Sequence, residues 1–264
     1  CNKLKEKFNL NDDVKVVFAS GNAVSGFEPI LEALAELPEN YVLIGFVRVK
    51  PDAYFEKIKS LIVELNLTHR VYLNDFVPYE ELVDYAQQAH VGVTIADESN
   101  PNAAVALPNR FFDYLCAEIP IVMHAMPDVV ELTERYNIGK IVYHTTAEQW
   151  KLAIQEVVEN QEIYKPNVIK AKPEICWESQ EKELYEFLGK PSSITMFGIR
   201  DLTQYQRFKR IAKSLLNRGC KVKMFTLSKA TEFSAVIPQV DYFVINDLND
   251  PDSKPSKLNF SEEL

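Results

Sequence analysis

Short apolar runs alternate along the first part of the chain with stretches whose apolar residues recur every three to four positions. Residues 14–20 (VKVVFAS) form an apolar, β-branched run that Gly21-Asn22 ends. Residues 25–37 follow, with Phe27, Ile30, Leu31 and Leu34 at helical spacing. The same alternation predicts strands over 41–47 (YVLIGFV), 71–73, 91–96 (VGVTIA), 120–124 (PIVMH) and 140–143. It predicts helices over 51–65, 79–88, 108–118, 129–136 and 147–158. Strands that are apolar on both faces and joined by helices imply a parallel sheet covered on both sides. Right-handed crossovers then make a doubly wound α/β domain.

Six strands by residue 143 complete one Rossmann-like unit. Two helical stretches follow, over 163–171 and 177–188, with no strand between them. Residues 189–193 (GKPSS) form a turn-rich break, after which the pattern restarts. A strand is predicted over 194–199, a helix over 204–217 stopped by Gly219, and strands over 221–227 and 242–245. Residues 249–264 are rich in Pro, Ser and Asp and carry no core pattern. The expected organisation is a Rossmann-like domain over 1–190 and a partial second Rossmann-like unit over 191–264, too small to stand as a usual doubly wound domain. A chain that stops partway through that unit is the simplest account.

Composition narrows the class. The 264 residues are 47% apolar and 25% charged, ordinary for a globular protein, so disorder, collagen and coiled coil are excluded. No apolar run approaches the roughly 18 residues of a membrane-spanning helix, and no secretion signal opens the chain, so a soluble protein is expected. The net charge of −9 is a poor match for sequence-independent nucleic-acid binding. It is also uneven: residues 193–264 carry eleven Lys and Arg against eight Asp and Glu, leaving +3 there and −12 on the first 192 residues. The cysteines Cys1, Cys116, Cys176 and Cys220 are scattered, as are the four histidines. No zinc or disulfide framework is expected, and a reducing cytoplasm fits.

In an open parallel sheet, ligands bind beyond the carboxyl ends of the strands. Four loops qualify: 21–26, 74–78, 97–108 and 125–128. The first, between Gly21 and Gly26, reads either as a tight strand-to-helix turn or as a backbone cradle for a phosphate. The third is long and leads into PNRFFDY (108–114). Pro108 at a first helical position starts a helix well. Asn109 and Arg110 then lie in the first turn, where free N–H groups favour an anion and a cation is unfavourable for the helix. Arg110 is therefore a candidate for binding the same phosphate. An Arg110–Asp113 ion pair along the helix is the other reading.

The run PNRFFDYLCAEIPIV resembles the P-N-K-x-F-E-Y segment of GT-B glycosyltransferases of group 1 (family 4). Other pieces fall in order: Gly21-Asn22 after the first strand, Val77-Pro78-Tyr79-Glu80-Glu81-Leu82, Gln88-Ala89-His90-Val91-Gly92-Val93, and Ile175-Cys176-Trp177-Glu178. The resemblance covers residues 1–190 and matches the family's C-terminal, donor-binding domain. Residues 194–227, with Arg207 and Gly219, resemble the opening of its N-terminal, acceptor-side domain, as in a fragment of a protein with tandem units.

The resemblance implies a hexosyltransferase-type enzyme of glycan or polysaccharide biosynthesis, whose donor is a nucleoside-diphosphate sugar and whose acceptor is a carbohydrate or a lipid-linked sugar. It implies no further cofactor and no metal. Asp113 falls on the Glu that holds the ribose, Asn109 and Arg110 near the diphosphate, and Phe76 and Val77 in the loop whose backbone faces the base. Gly21, Asn22 and Pro108 complete the implied donor site; the catalytic residues stay unassigned. Val105 stands where the family has a first carboxylate, and Asn22 and Ser25 stand near the usual basic pair. A catalytically inactive binding or scaffolding module is thus the alternative, and an epimerase of the same fold a further one. His124, at a strand end beside the implied sugar site, reads as a donor contact or a structural residue, and Cys116 as a core filler. The cations Arg207, Lys209, Arg210, Lys213, Arg218 and Lys221 read as a solvated face or as a surface for peripheral contact with the inner face of the membrane. Other domains of a longer chain are the remaining expected partners.

Overall fold

The computed structural model describes residues 3–23, 25–94, 107–176, 179, 186, 193–198, 212–213, 215–217, 219–226, 240–244 and 256–257. The chain separates into two compact units, Cys1–Gln180 and Glu181–Leu264.

The first unit is a six-stranded sheet in the order β3-β2-β1-β4-β5-β6. Its strands are β1 (Lys15–Ala23), β2 (Tyr41–Val49), β3 (Val71–Asn74), β4 (Val91–Thr94), β5 (Ile121–His124) and β6 (Gly139–Val142). Every neighbouring pair is parallel. All side chains of β4 are buried, and seven of the first seven in β2, as a sheet with both faces covered requires. The order reverses between β1 and β4, so a crevice opens at their carboxyl ends.

Among the described residues, eight helices go with this sheet: α1 (Lys3–Phe8), α2 (Glu28–Glu36), α3 (Asp52–Glu64), α4 (Tyr79–Ala86), α5 (Asn109–Cys116), α6 (Pro127–Tyr136), α7 (Ala147–Glu159) and α8 (Gln161–Ile175). Strand alternation sends odd-numbered residues of β1 and β2, such as Val17, Ala19, Leu43 and Val47, into one core with α2, α3 and α7. Even-numbered residues, such as Val16, Phe18, Ile44 and Phe46, enter a second core with α4, α5, α6 and α8. The short α1 was not predicted; Leu4 is fully buried in the second core, and the Lys7 ammonium lies over the rings of Phe46 and Tyr85, at 5.3 and 4.8 Å.

Among the described residues, Arg70 is the buried cation of this unit. Its guanidinium donates to the carbonyls of Tyr41, Leu34, Leu37 and Pro38, at 2.8 to 3.2 Å. It thereby takes up one carbonyl of the last turn of α2, Leu34, and those of the residues that follow the helix, which has no glycine cap.

Two differences in boundary from the sequence reading bear on the site. β1 does not stop before Gly21: it pairs with β2 through Gly21↔Val47, Asn22↔Arg48 and Ala23↔Val49. The buried Ala23, Val47 and Val49 hold this extension, so pairing overrides the turn propensity of Gly-Asn. Pro108 lies one place before α5, as the residue capping it, with extended ψ of 145°.

In the second unit, β7 (Ser193–Gly198), β8 (Lys221–Thr226), β9 (Val240–Val244) and β10 (Ser256–Lys257) form their own sheet in the order β10-β9-β8-β7. β7, β8 and β9 are parallel neighbours, and β10 is antiparallel to β9. Of the predicted 204–217 helix, Ala212, Lys213 and Leu215–Asn217 are described and helical.

Candidate functional site

The sequence-predicted residues all lie at the carboxyl edge of the six-stranded sheet: Gly21 and Asn22 at the end of β1, Phe76 and Val77 after β3, and Pro108, Asn109, Arg110 and Asp113 at the start of α5. Helix α5 is seated there by its buried face, Phe111, Tyr114 and Leu115. The Tyr114 ring lies directly on Gly92 of β4, where an added Cβ would come within 2.5 Å of it. The Tyr114 hydroxyl donates to the Val93 carbonyl at 2.8 Å and accepts from Ser20 Oγ at 3.4 Å. Burial is the main cause that pushes its pKa up to about 12, so it stays a neutral donor.

That seating fixes Arg110. Its guanidinium turns back over β1, and Nη2 donates to the Asn22 carbonyl at 3.0 Å. Gly21, at φ +90°, makes room: a Cβ there would meet Arg110 Nε at 3.0 Å. Burial lowers the Arg110 pKa, while Tyr114 and Asp113 act to raise it. A guanidinium nevertheless stays charged at neutral pH. The structure thus joins Gly21 and Asn22 to Arg110, with Asp113 one turn along the same helix close enough to act on it electrostatically. Gly21 and Asn22, expected in the loop after the first strand, are paired strand residues.

The loop after β3 divides. The Phe76 ring is 44% exposed, and the Arg48 guanidinium lies 4.7 Å from its centroid. The Val77 side chain instead packs against the second core. Asn109 is exposed and Asp113 half-buried. His124 ends β5 paired with Val142. Cys116 is half-buried, and its carbonyl accepts from Lys172. Val105 and residues 97–106 of the third loop lie outside the described residues, as do Trp177 and Glu178.

Sequence reasoning missed three residues here: Ser20, Tyr114 and Arg48. Arg48 had a signal, being the sole charge in YVLIGFVRV and the exposed position of an otherwise buried strand. Among the described residues no group of His, Cys, Asp and Glu could hold a metal ion. An open groove of about 610 Å³ runs along α2 and α3, over the other core; Glu28, Glu32 and Glu64 line it against one cation, Lys57, which pairs with Glu28, so its charge is net negative. No helix among the described residues is long and apolar enough to cross a membrane.

Solved structures share this fold. A glycosyltransferase of lipopolysaccharide biosynthesis, WaaG, aligns at 15% identity and TM-score 0.54 over 71% of this chain and 50% of its own. HepE of Anabaena, in complex with UDP-glucose, aligns at 15% identity and TM-score 0.57 over 70% and 51%. Sucrose-phosphate synthase of Thermosynechococcus elongatus aligns at 20% identity and TM-score 0.54 over 71% and 49%. The chain therefore spans about half the length of these proteins. No curated protein matches it. The family model described as glycosyl transferases group 1 matches residues 2–173. With well over half of its length matched by that model, the chain belongs to the group 1 glycosyl transferases.

Proposed function

We propose that residues 1–190 are the donor-binding domain of a glycosyltransferase that moves a sugar from a nucleoside-diphosphate sugar to a carbohydrate or lipid-linked acceptor. The observation that carries this reading is Arg110, seated on the Asn22 carbonyl at the start of α5, at the sheet's carboxyl edge. The first-turn N–H groups of α5 and the Arg110 fork form a compact positive site for phosphate oxygens. Asp113, acting as a hydrogen-bond acceptor one turn on, suits a ribose hydroxyl. The backbone at Phe76 and Val77 is left for the base. As the sugar departs, negative charge grows on the diphosphate, and fixed positive groups stabilise it most in the transition state. The crystallised complexes of HepE with UDP-glucose and with UDP and glucose support the choice of donor class.

In this reading the acceptor sits against a second domain, which belongs to a longer protein, and the strands after Pro191 begin another such unit. Glycan or polysaccharide assembly in the cytoplasm, with peripheral contact to the inner face of the membrane, is the setting proposed. Asn22 and Ser25 carry no charge, and this favours a second reading, a module that binds the nucleotide sugar without turning it over. Labelled nucleotide sugars offered to the full-length protein with glycan and lipid-linked acceptors separate the two. Transfer of label to an acceptor is the expected result. Donor binding without transfer under any acceptor would select the binding module.

A further inference from the structure

We infer that Arg48 is a second phosphate-gripping cation of this site, holding the donor's diphosphate from the β2 side while Arg110 holds it from α5. The inference rests on the donor-binding reading and assigns a residue that the reading left without a role. Strand alternation places Arg48 on the same face as Val42, Ile44 and Phe46, the face that α4 and α5 cover. Its parallel partner across the sheet is Asn22, whose carbonyl takes the Arg110 guanidinium at 3.0 Å. Neighbouring strands lie about 4.8 Å apart, so the two cationic side chains flank one residue of the strand edge.

The posture of Arg48 fits the task. Its guanidinium lies over the Phe76 ring at 4.7 Å from the centroid, and the ring is itself 44% exposed. Stacking on the ring face steadies a planar fork while its in-plane N–H groups stay available to oxygen acceptors. Among the described residues no carboxylate forms an ion pair with Arg48. Two guanidinium groups beside one strand edge suit a diphosphate, which carries two or three negative charges. This supplies positive charge that Asn22 and Ser25 do not.

The test is calorimetric titration of the whole chain with pyrophosphate, UDP, GDP and ADP, comparing wild type with Arg48→Ala, Arg48→Lys and Phe76→Leu. Arg48→Ala is expected to weaken all four ligands by a similar factor, roughly tenfold or more. Arg48→Lys should retain part of the affinity, and Phe76→Leu should lose a smaller part. The exposed position of Arg48 predicts unchanged thermal melts. Unchanged pyrophosphate binding with an altered ranking of the three nucleotides would assign Arg48 to the base and overturn the inference. Equal affinity of wild type and Arg48→Ala for every ligand would overturn it too, with the donor reading left standing. A wild-type chain that binds none of the four would overturn both.

Discussion

Arg110 occupies a place where a cation works against its own helix, and a fold accepts that cost where an anion is to be met. If it grips a phosphate, Arg110→Ala weakens nucleoside-diphosphate binding by about 1.5–3 kcal/mol, the size of a charge-assisted hydrogen bond. Calorimetry showing equal affinity would remove Arg110 from the site. His90 tests a different property. Its Nδ1 accepts the Val16 N–H at 3.0 Å, and burial first, then Lys15, Lys5 and Lys165, lowers its pKa to about 4. The unfolded chain takes up this proton near the ordinary value of about 6.5, before the folded chain does. The stabilisation is therefore complete above that pH and is lost as pH falls toward 4, by up to about 3 kcal/mol. Urea melts at pH 7 and pH 5 should differ for wild type and differ less for His90→Asn, which keeps an acceptor without the titration; equal pH sensitivity would refute the assignment. At this scale the sequence placed Asn109, Arg110 and Asp113 together near the start of one helix, because helix-start chemistry is local. It hid Tyr114 and Ser20, because their roles come from contacts between residues 94 positions apart.

Helix α5 bears Asn109, Arg110 and Asp113, and among the buried residues that seat it Tyr114 lays its ring on Gly92 and its hydroxyl on the Val93 carbonyl. A methyl group at position 92 would sit 2.5 Å from that ring and has no room. Gly92→Ala should therefore destabilise the unit by about 1–3 kcal/mol, the usual cost of overpacking. It should also weaken nucleotide binding, because Arg110 moves with its helix. Stability and affinity both at wild-type values would show that α5 is seated by other contacts. The elements themselves were largely legible: buried parallel strands write continuous apolar runs, and amphipathic helices write a 3.6-residue period. The end of β1 was not. Gly21-Asn22 reads as a turn by local propensity, yet residue-by-residue pairing with β2 carries the strand on to Ala23. α1 escaped notice because only Leu4 of its six residues is buried. The buried Arg70 was likewise invisible, since a cation that caps a distant helix leaves no local pattern.

At the scale of the molecule, the strands fall into two sheets, one formed by the strands before residue 143 and one by those after residue 192. This separation was legible in the restart of the pattern after Pro191. In the reading proposed above, the acceptor sits against another domain and catalysis is shared between the two. The isolated 264-residue chain is accordingly expected to show little or no sugar transfer in a radiolabelled-donor assay, even where it binds nucleotide. Robust turnover by this chain alone would show that the chemistry lies on residues not identified above. The central claim is that the carboxyl edge around α5 receives a nucleoside diphosphate. A crystal structure of the chain with UDP or GDP at millimolar concentration tests it most directly. The account predicts phosphates at the α5 N-terminus within hydrogen-bond distance of Arg110, and a ribose beside Asp113. A nucleotide bound elsewhere on the unit, or an α5 edge left empty at saturating ligand, would contradict it.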